Sequence, residues 1–235
     1  MEELEIELIE EKKEIELDDL IKEEGVYGDK NELVTSILDR SIVELTSDEI
    51  IDLGNYALNE CFNLTTINLI NLKNIGSYCF RQCSSLTTLN MPDGVYINSF
   101  AFIYCTSLKK IELRGVGRMT PTCFGYCSGL EEVHLYDTTM LDTYVFRECS
   151  NLKLVDLHVA ISINANCFLN NTSLEKLIIR SNQVCALLNT SAFSGSAIAN
   201  GTGFIYVPDS LVEEYKKALN WKAYASQIKG MSELI

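Results

Sequence analysis

The sequence predicts a mostly β solenoid of 22-residue rungs with short helical turns and a helical carboxyl-terminal cap. Between residues 51 and 180 one pattern recurs around a central anchor residue, and all five gaps between successive anchors are 22 residues. A seventh anchor, Phe193, follows after 25 residues. The first six anchors are Leu58, Phe80, Phe102, Phe124, Phe146 and Phe168. A fixed period in this range indicates stacked units that cannot bury their apolar faces alone.

Other residue types recur at fixed distances from each anchor. A cysteine stands three residues after the first five anchors, with Asn171 in the sixth copy, and a leucine stands six residues after all six. Apolar pairs follow at nine and eleven residues, and this alternation predicts a strand such as KKIEL with every second side chain inward. A return segment before the anchor supplies one further inward residue in each rung: Leu53, Ile75, Ile97, Met119, Leu141, Ile163 and Leu188.

These anchor, cysteine and leucine columns resemble the BspA-like leucine-rich repeats of the type-5 class, whose consensus is IGxxAFxxCxxLxxIxIP. The resemblance covers roughly residues 51–207. It implies a leucine-rich-repeat solenoid that acts in recognition, with cell-surface adhesion as the role of the family. Similar repeats also look like tail or receptor-binding parts of bacteriophages.

The first 24 residues form an acidic segment with two possible roles. They hold twelve acidic and three basic residues, out of a net charge of −14 for the chain. Apolar and acidic residues alternate on both sides of EEKK at 10–13, which predicts two short strands. One hypothesis is that the segment attaches the chain to partner subunits of an assembly, and the other is that it folds back onto the first rung. The apolar residues of the attachment hypothesis are Leu4, Ile6, Leu8, Ile15 and Leu17.

Solenoid ends require atypical caps, because they otherwise expose a slice of core. We predict an amino-terminal cap over residues 25–50, with a helix at 30–40 and a strand-like segment at 41–45, followed by the solenoid at 51–207. Residues 208–235 are predicted to form the carboxyl-terminal cap. In it, Ser210 and Glu213 suggest a capping box, Gly230 the end of a second helical turn, and Trp221 a plug for the last rung.

Composition argues against several classes of function. A net negative chain is a poor ligand for nucleic acid, and no run approaches the length of a membrane span. The amino terminus lacks the order of charges and apolar residues that marks a secretory signal. We therefore expect a soluble chain without nucleic-acid binding or membrane insertion, with its location open and a virion or cell surface favoured over the cytoplasm.

The cysteines and histidines suggest structure rather than chemistry. Eight of the nine cysteines fall in two repeat columns, and only Cys185 lies outside them. No histidine or aspartate column accompanies them, which favours a ladder of buried thiols over a metal site or disulfides. The two histidines, His134 and His158, have no nucleophile at a recognisable motif spacing. We predict no metal, no cofactor and no catalytic residues.

The outward-facing strand columns are the candidate ligand-binding face, and an ordinary solvated sheet face is the alternative interpretation. Arginine and tyrosine are enriched at binding hot spots. We expect a non-enzymatic recognition or adhesion module that binds a protein or glycan, as part of a phage tail or a surface structure. The alternative is an intracellular protein–protein interaction scaffold. The face residues are Lys110, Glu112, Arg114, Glu132, His134, Tyr136, Asp156, His158, Lys176 and Arg180.

Overall fold

The computed structural model describes the backbone of residues 14–16, 26–27, 33–34 and 36–37, and all of residues 41–234. Strands are numbered β1 to β20 along the chain, and two ladders of parallel strands run along the stack. The long-strand ladder contains β1 (Glu14–Glu16), β5 (Glu44–Ser47), β7 (Thr66–Leu69), β9 (Thr88–Asn90), β11 (Lys110–Leu113), β13 (Glu132–Leu135), β15 (Leu154–Leu157), β17 (Lys176–Ile179), β19 (Phe204–Val207) and β20 (Ile228–Gly230). The short-strand ladder contains β3 (Leu33–Val34), β6 (Asp52–Leu53), β8 (Asn74–Ile75), β10 (Tyr96–Ile97), β12 (Arg118–Met119), β14 (Met140–Leu141), β16 (Ser162–Ile163) and β18 (Ala186–Leu187). The predicted solenoid is confirmed.

The repeat period fixes the pairing register. Lys110 pairs with Glu132 and Ile111 with Val133, and the next rung continues with Leu154 in the same column. Because every gap is 22 residues, inward residues stack on inward residues and the core is continuous. The inward position of the return segment is buried in each rung. In the last rung it is Leu187, which pairs with Ile163, while the predicted Leu188 is 53% exposed.

Stacked anchor rings form the centre of the core. The ring centroids of Phe80 and Phe102 lie 4.9 Å apart, as do those of Phe102 and Phe124, with the rings nearly parallel. The stack continues through the later anchors to Phe193. Trp221 covers its end, fully buried with its centroid 6.0 Å from that of Phe193, which confirms the predicted plug.

The cysteines beside the anchors are buried, as the thiol-ladder interpretation predicted. The Sγ of Cys105 donates to the carbonyl oxygen of Phe80 at 3.1 Å, and Cys127 donates to Phe102 at 3.2 Å. Cys83 and Cys149 repeat this bond. Each thiol therefore ties its rung to the anchor of the rung before it. Burial raises the pKa of the Cys127 thiol to about 12.

The turns around the anchor use left-handed backbone at two repeat positions. Residues two before and two after each of the first six anchors have φ near +60°, a conformation that costs energy for residues other than glycine. Neighbouring rungs offset part of this cost by stacking the side chains. The rings of Tyr56 and Tyr78 are 5.0 Å apart, those of Tyr78 and Phe100 are 4.7 Å apart, and those of Tyr104 and Tyr126 are 4.6 Å apart.

The amino-terminal region differs from the expected cap in its secondary structure. β2 (Val26–Tyr27) pairs antiparallel with β4 (Ser36–Ile37), and β3 joins the short-strand ladder beside β6. The helix predicted at 30–40 is therefore wrong where the backbone is described, whereas the strand-like segment at 41–45 leads into β5. β1 pairs in parallel with β5, in the position that the fold-back hypothesis describes. The other attachment residues, Leu4, Ile6, Leu8 and Leu17, lie outside the described residues.

The carboxyl-terminal cap combines helical turns with one more strand. A 3-10 turn (Asp209–Leu211), helix α1 (Val212–Lys217) and a second 3-10 turn (Trp221–Tyr224) lead into β20, and a third turn follows at Met231–Glu233. Neither Asp209–Leu211 nor α1 has a side-chain cap, so the capping box predicted from Ser210 and Glu213 is wrong. The predicted helical end at Gly230 is also wrong, because Gly230 lies in β20, which pairs with β19.

The buried thiols predict a loss of stability in alkali. Burial raises the pKa of Cys127 and Cys185 to about 12 from an ordinary value of 9.0. Unfolded thiols ionise near that ordinary value while folded thiols stay protonated, so the unfolded state binds fewer protons and stability falls as pH rises. The free energy of urea unfolding should fall between pH 9 and pH 12, by up to about 1.4 kcal/mol per pH unit for each thiol.

Ellman's reagent provides the companion measurement. The denatured chain should titrate nine thiols, and the native chain at pH 8 should react only as fast as it unfolds. A Cys127→Ala variant serves as the control, because it should show a smaller pH dependence than the parent chain. Rapid reaction of several native thiols would contradict the buried ladder.

Candidate functional site

The pairing register brings the predicted face residues together on the long-strand ladder. Lys110, Glu132, Leu154 and Lys176 occupy one column, and Glu112, His134, Asp156 and Ile178 occupy the next. The columns do not stay exposed along their whole length. Ile178 is 3% exposed beside Tyr206, so the column of Glu112, His134 and Asp156 becomes apolar and buried at β17.

The residues that follow each strand form a third column, which we call the face row and define as Arg114, Tyr136, His158 and Arg180. The guanidinium carbon of Arg114 lies 3.6 Å from the centroid of the Tyr136 ring. The Tyr136 and His158 rings are 4.6 Å apart, and their planes are tilted by 41°. Cation–π contact and ring stacking therefore hold three large side chains against one another.

Asp156 occupies the centre of the face and is nearly buried. Its side chain is 8% exposed, and its carboxylate accepts two hydrogen bonds from Arg180, at 2.8 Å from Nε and 2.8 Å from the second guanidinium nitrogen. The bonds to Asp156 raise the pKa of the Arg180 side chain. Nδ1 of His134 and Nε2 of His158 lie 4.0 and 3.8 Å from this carboxylate. The sequence placed Arg180 among the ligand-binding residues, and its contacts with Asp156 add a structural role.

The other end of the face carries exposed ion pairs. Nζ of Lys110 lies 2.6 Å from the Glu112 carboxylate and 3.9 Å from that of Glu132. The hydrogen bond between Lys110 and Glu112 raises the pKa of Lys110 and lowers that of Glu112. Both side chains are exposed, so water screens this pair and it contributes little to stability.

A cavity of about 490 Å³ adjoins the face row, and we call it the corner pocket. His158 and Arg180 form one side of it, while Val159, Ile161 and Val184 contribute apolar surface. Val159 and Ile161 are 43% and 65% exposed. The pocket lies where the anchor spacing increases from 22 to 25, which adds chain around residues 181–184. Sequence reasoning missed Val159 and Ile161, although the longer spacing was the available signal.

Carboxylates partner both histidines of the face. His134 lies 3.5 Å from Glu132 and 4.0 Å from Asp156, and His158 lies 3.8 Å from Asp156. The described cysteines are buried. Among the described residues there is no group of three or more His, Cys, Asp or Glu side chains that could hold a metal ion. The geometry is that of a fixed, charged and partly aromatic surface.

The Arg180–Asp156 pair predicts a stability difference between a nearly buried and an exposed ion pair. Arg180→Ala leaves a nearly buried carboxylate without its donors and should reduce the free energy of urea unfolding by about 2–4 kcal/mol. Lys153→Ala is the control, because Lys153 pairs at 3.0 Å with Glu131, whose side chain is 39% exposed. The control should lose less than about 1 kcal/mol. Equal losses would remove the structural role of Arg180.

Three solved leucine-rich-repeat structures resemble this chain, and the first of them supports the fold. A leucine-rich-repeat protein from T. pallidum superposes with a TM-score of 0.50 at 19% identity, covering 82% of this chain and 91% of that protein. A leucine-rich-repeat protein from Bacteroides ovatus gives 0.49 at 24% identity, covering 76% of this chain and 54% of the other. A leucine-rich cell-surface protein from Faecalibacterium prausnitzii gives 0.43 at 14% identity, covering 88% and 85%.

Sequence comparison identifies the repeats directly. No curated protein matches the chain significantly in sequence. No helix among the described residues has the length and apolar character needed to cross a membrane. The profile of the BspA type leucine-rich-repeat region matches residues 40–131 and 95–213 with six copies, which is well over half of the chain. The chain belongs to the BspA-type leucine-rich-repeat family.

Proposed function

We propose that this chain is a non-enzymatic protein-recognition module whose binding surface is the face row together with the corner pocket. Leucine-rich-repeat proteins in general use their extended faces to bind other proteins. The observation that carries the proposal is the contiguous contact of Arg114, Tyr136 and His158 beside an apolar cavity. Large side chains that are already held in place lose little conformational entropy on binding.

The chemistry of the face row favours a protein over a glycan as the ligand. Sugars stack on open aromatic ring faces, and the Tyr136 ring is contacted by Arg114 from one adjoining rung and by His158 from the other. The row presents a guanidinium and polar ring edges, which suit carboxylates and backbone carbonyls. The corner pocket can accept an apolar side chain next to them.

Attachment to a larger assembly through residues 1–24 stays a prediction, as do adhesion, a phage-tail role and a cell-surface location. An intracellular scaffold would use the same face on a different partner. Adhesion and an intracellular scaffold role therefore depend on the same face residues and are tested by the same variants.

The test compares two triple variants of equal chemical character. Partner proteins are captured on the immobilised full chain, identified, purified and titrated by biolayer interferometry. The variant with Arg114→Ala, Tyr136→Ala and His158→Ala should weaken the dissociation constant at least thirtyfold, or about 2 kcal/mol, because it removes the centre of the surface. Arg180 is left in place, since its loss would expose Asp156.

The control triple carries Lys73→Ala, Tyr96→Ala and Arg118→Ala, three exposed residues in or next to the short-strand ladder. It should bind within twofold of the parent chain. Ile161→Arg, which places bulk and charge in the corner pocket, should weaken binding without altering the native protection of the thiols. A partner that binds the face-row triple as tightly as the parent chain would refute the proposal.

A further inference from the structure

Both strand ladders are interrupted at the same point of the stack. β9 pairs with β7 and β11 with β13, but β9 does not pair with β11; the same gap separates β10 from β12. The two rungs that carry β9 and β11 remain in contact at their turns. Phe80 N–H donates to the carbonyl oxygen of Ala101 at 2.8 Å, and the Phe80 and Phe102 rings remain stacked. The rungs therefore meet at their turns and open at their strands.

The sequence explains why β9 ends early beside β7. Tyr136, His158 and Arg180 donate their backbone N–H to the preceding rung at 3.1, 3.0 and 2.8 Å. Pro92 occupies the same repeat position and has no N–H to donate to Leu69 of the preceding rung. The pairing of β9 with β7 accordingly ends at Asn68 and Asn90, and the gap toward β11 lies on the opposite edge of β9.

The interruption opens the core to solvent. Ile67, Leu69, Val133 and Leu135 are completely buried at the two inward strand positions, whereas Leu89 and Met91 at the same positions are partly exposed. A cavity of about 210 Å³ lies between Leu89 and Met91 on one wall and Ile111 and Leu113 on the other, and we call it the cleft. Asp93, Lys110, Glu112 and Arg114 stand around its mouth.

The walls of the cleft also present unpaired strand edges. Lys109 and Leu113 accept hydrogen bonds from Glu131 and Tyr136 of the next rung, so the backbone of alternate β11 residues points away from the cleft. In a parallel ladder the intervening residues, Lys110 and Glu112, direct their backbone groups the other way, into the cleft. Among the described residues, one backbone bond joins segments 88–95 and 110–116, from Gly94 N–H to the Arg114 carbonyl at 2.9 Å.

We propose that the cleft binds one or two residues of an extended segment of a partner protein, which hydrogen-bond to the backbone of Lys110 and Glu112 and place one apolar side chain between Leu89 and Ile111. An edge of alternating donors and acceptors is complementary to an extended peptide chain. The volume suits one side chain and is smaller than the cavities that hold drug-sized molecules.

The same segment carries an acidic residue next to its apolar residue. Arg114 stands at the mouth of the cleft, and its guanidinium lies over Tyr136 with no carboxylate partner among the described residues. Arg114 also belongs to the face row, so the cleft continues the proposed binding surface. The inference rests on the proposed function only in taking the partner to be a protein.

The probe is a phage-displayed library of random linear heptapeptides, panned on the immobilised full chain. Enriched peptides are synthesised and titrated by fluorescence polarisation against the parent chain and two variants. Met91→Arg fills the cleft and should weaken binding at least tenfold. Met140→Arg, at an exposed methionine of the short-strand ladder, is the control and should leave the dissociation constant within twofold.

Backbone-modified peptides test the strand pairing without altering the protein. N-methylation at alternate peptide positions should abolish binding in one phase of the alternation and leave it intact in the other. Amide hydrogen exchange at Glu112 should slow when the peptide binds. Arg114→Ala should weaken peptides that contain the acidic residue and not their amide-substituted forms.

Three results would overturn the inference: no enriched peptide that depends on Met91, equal binding to Met91→Arg, or tolerance of N-methylation at every position. Selection of segments of this chain itself, with dimerisation that Met91→Arg abolishes, would replace the partner protein with a second copy and overturn it too. His158→Ala distinguishes this failure from failure of the proposed function, because His158 belongs to the face row and the corner pocket and does not line the cleft.

Discussion

The structure depends on the stacking of one rung on the next at a fixed register, and the anchor column holds that register. Phe102 contacts the anchor rings of both neighbouring rungs at 4.9 Å, and its carbonyl oxygen accepts a hydrogen bond from the Cys127 thiol. A buried ring fixes the distance between rungs, and the thiol fixes their relative rotation. Cysteine suits this position because it is small, apolar in packing and still able to donate. The ladders, the turns and the surface follow from that register.

The face is a consequence of the same stacking. Residues 22 apart in sequence become neighbours in space, so a single column can bring together Arg114, Tyr136 and His158. Arg180, in the same column, neutralises the nearly buried Asp156 by donating hydrogen bonds to its carboxylate. The cleft and the corner pocket occur where the repeat is irregular, at Pro92 and at the 25-residue spacing. Regular rungs provide rigidity, and irregular rungs provide cavities.

Much of the fold could be predicted from sequence, because a fixed period shows which positions are equivalent in successive rungs. The anchor stack, the buried thiols and the strand register were predictable from columns, and the Trp221 plug was predictable from the need to cap the last rung. Departures from the period were not. The three added residues before Phe193 put Leu187 rather than Leu188 in the core, and β20 returns to the ladder where a helix was expected. The burial of Asp156 and Ile178 depends on neighbours from other rungs, and Pro92 alone does not reveal that two ladders separate beside it.

The central claim is that register, set by the anchor and thiol columns, is what makes the chain fold. Deleting residues 125–146 removes one complete period and joins Phe124 to Arg147, so every column remains aligned. Deleting only residues 126–135 removes less chain but puts every later rung out of register. The measurement is the free energy of unfolding in urea with thiol protection in the same samples. The account predicts one cooperative transition and protected thiols for the 22-residue deletion, and loss of both for the ten-residue deletion. Equal disruption by the two deletions would contradict it.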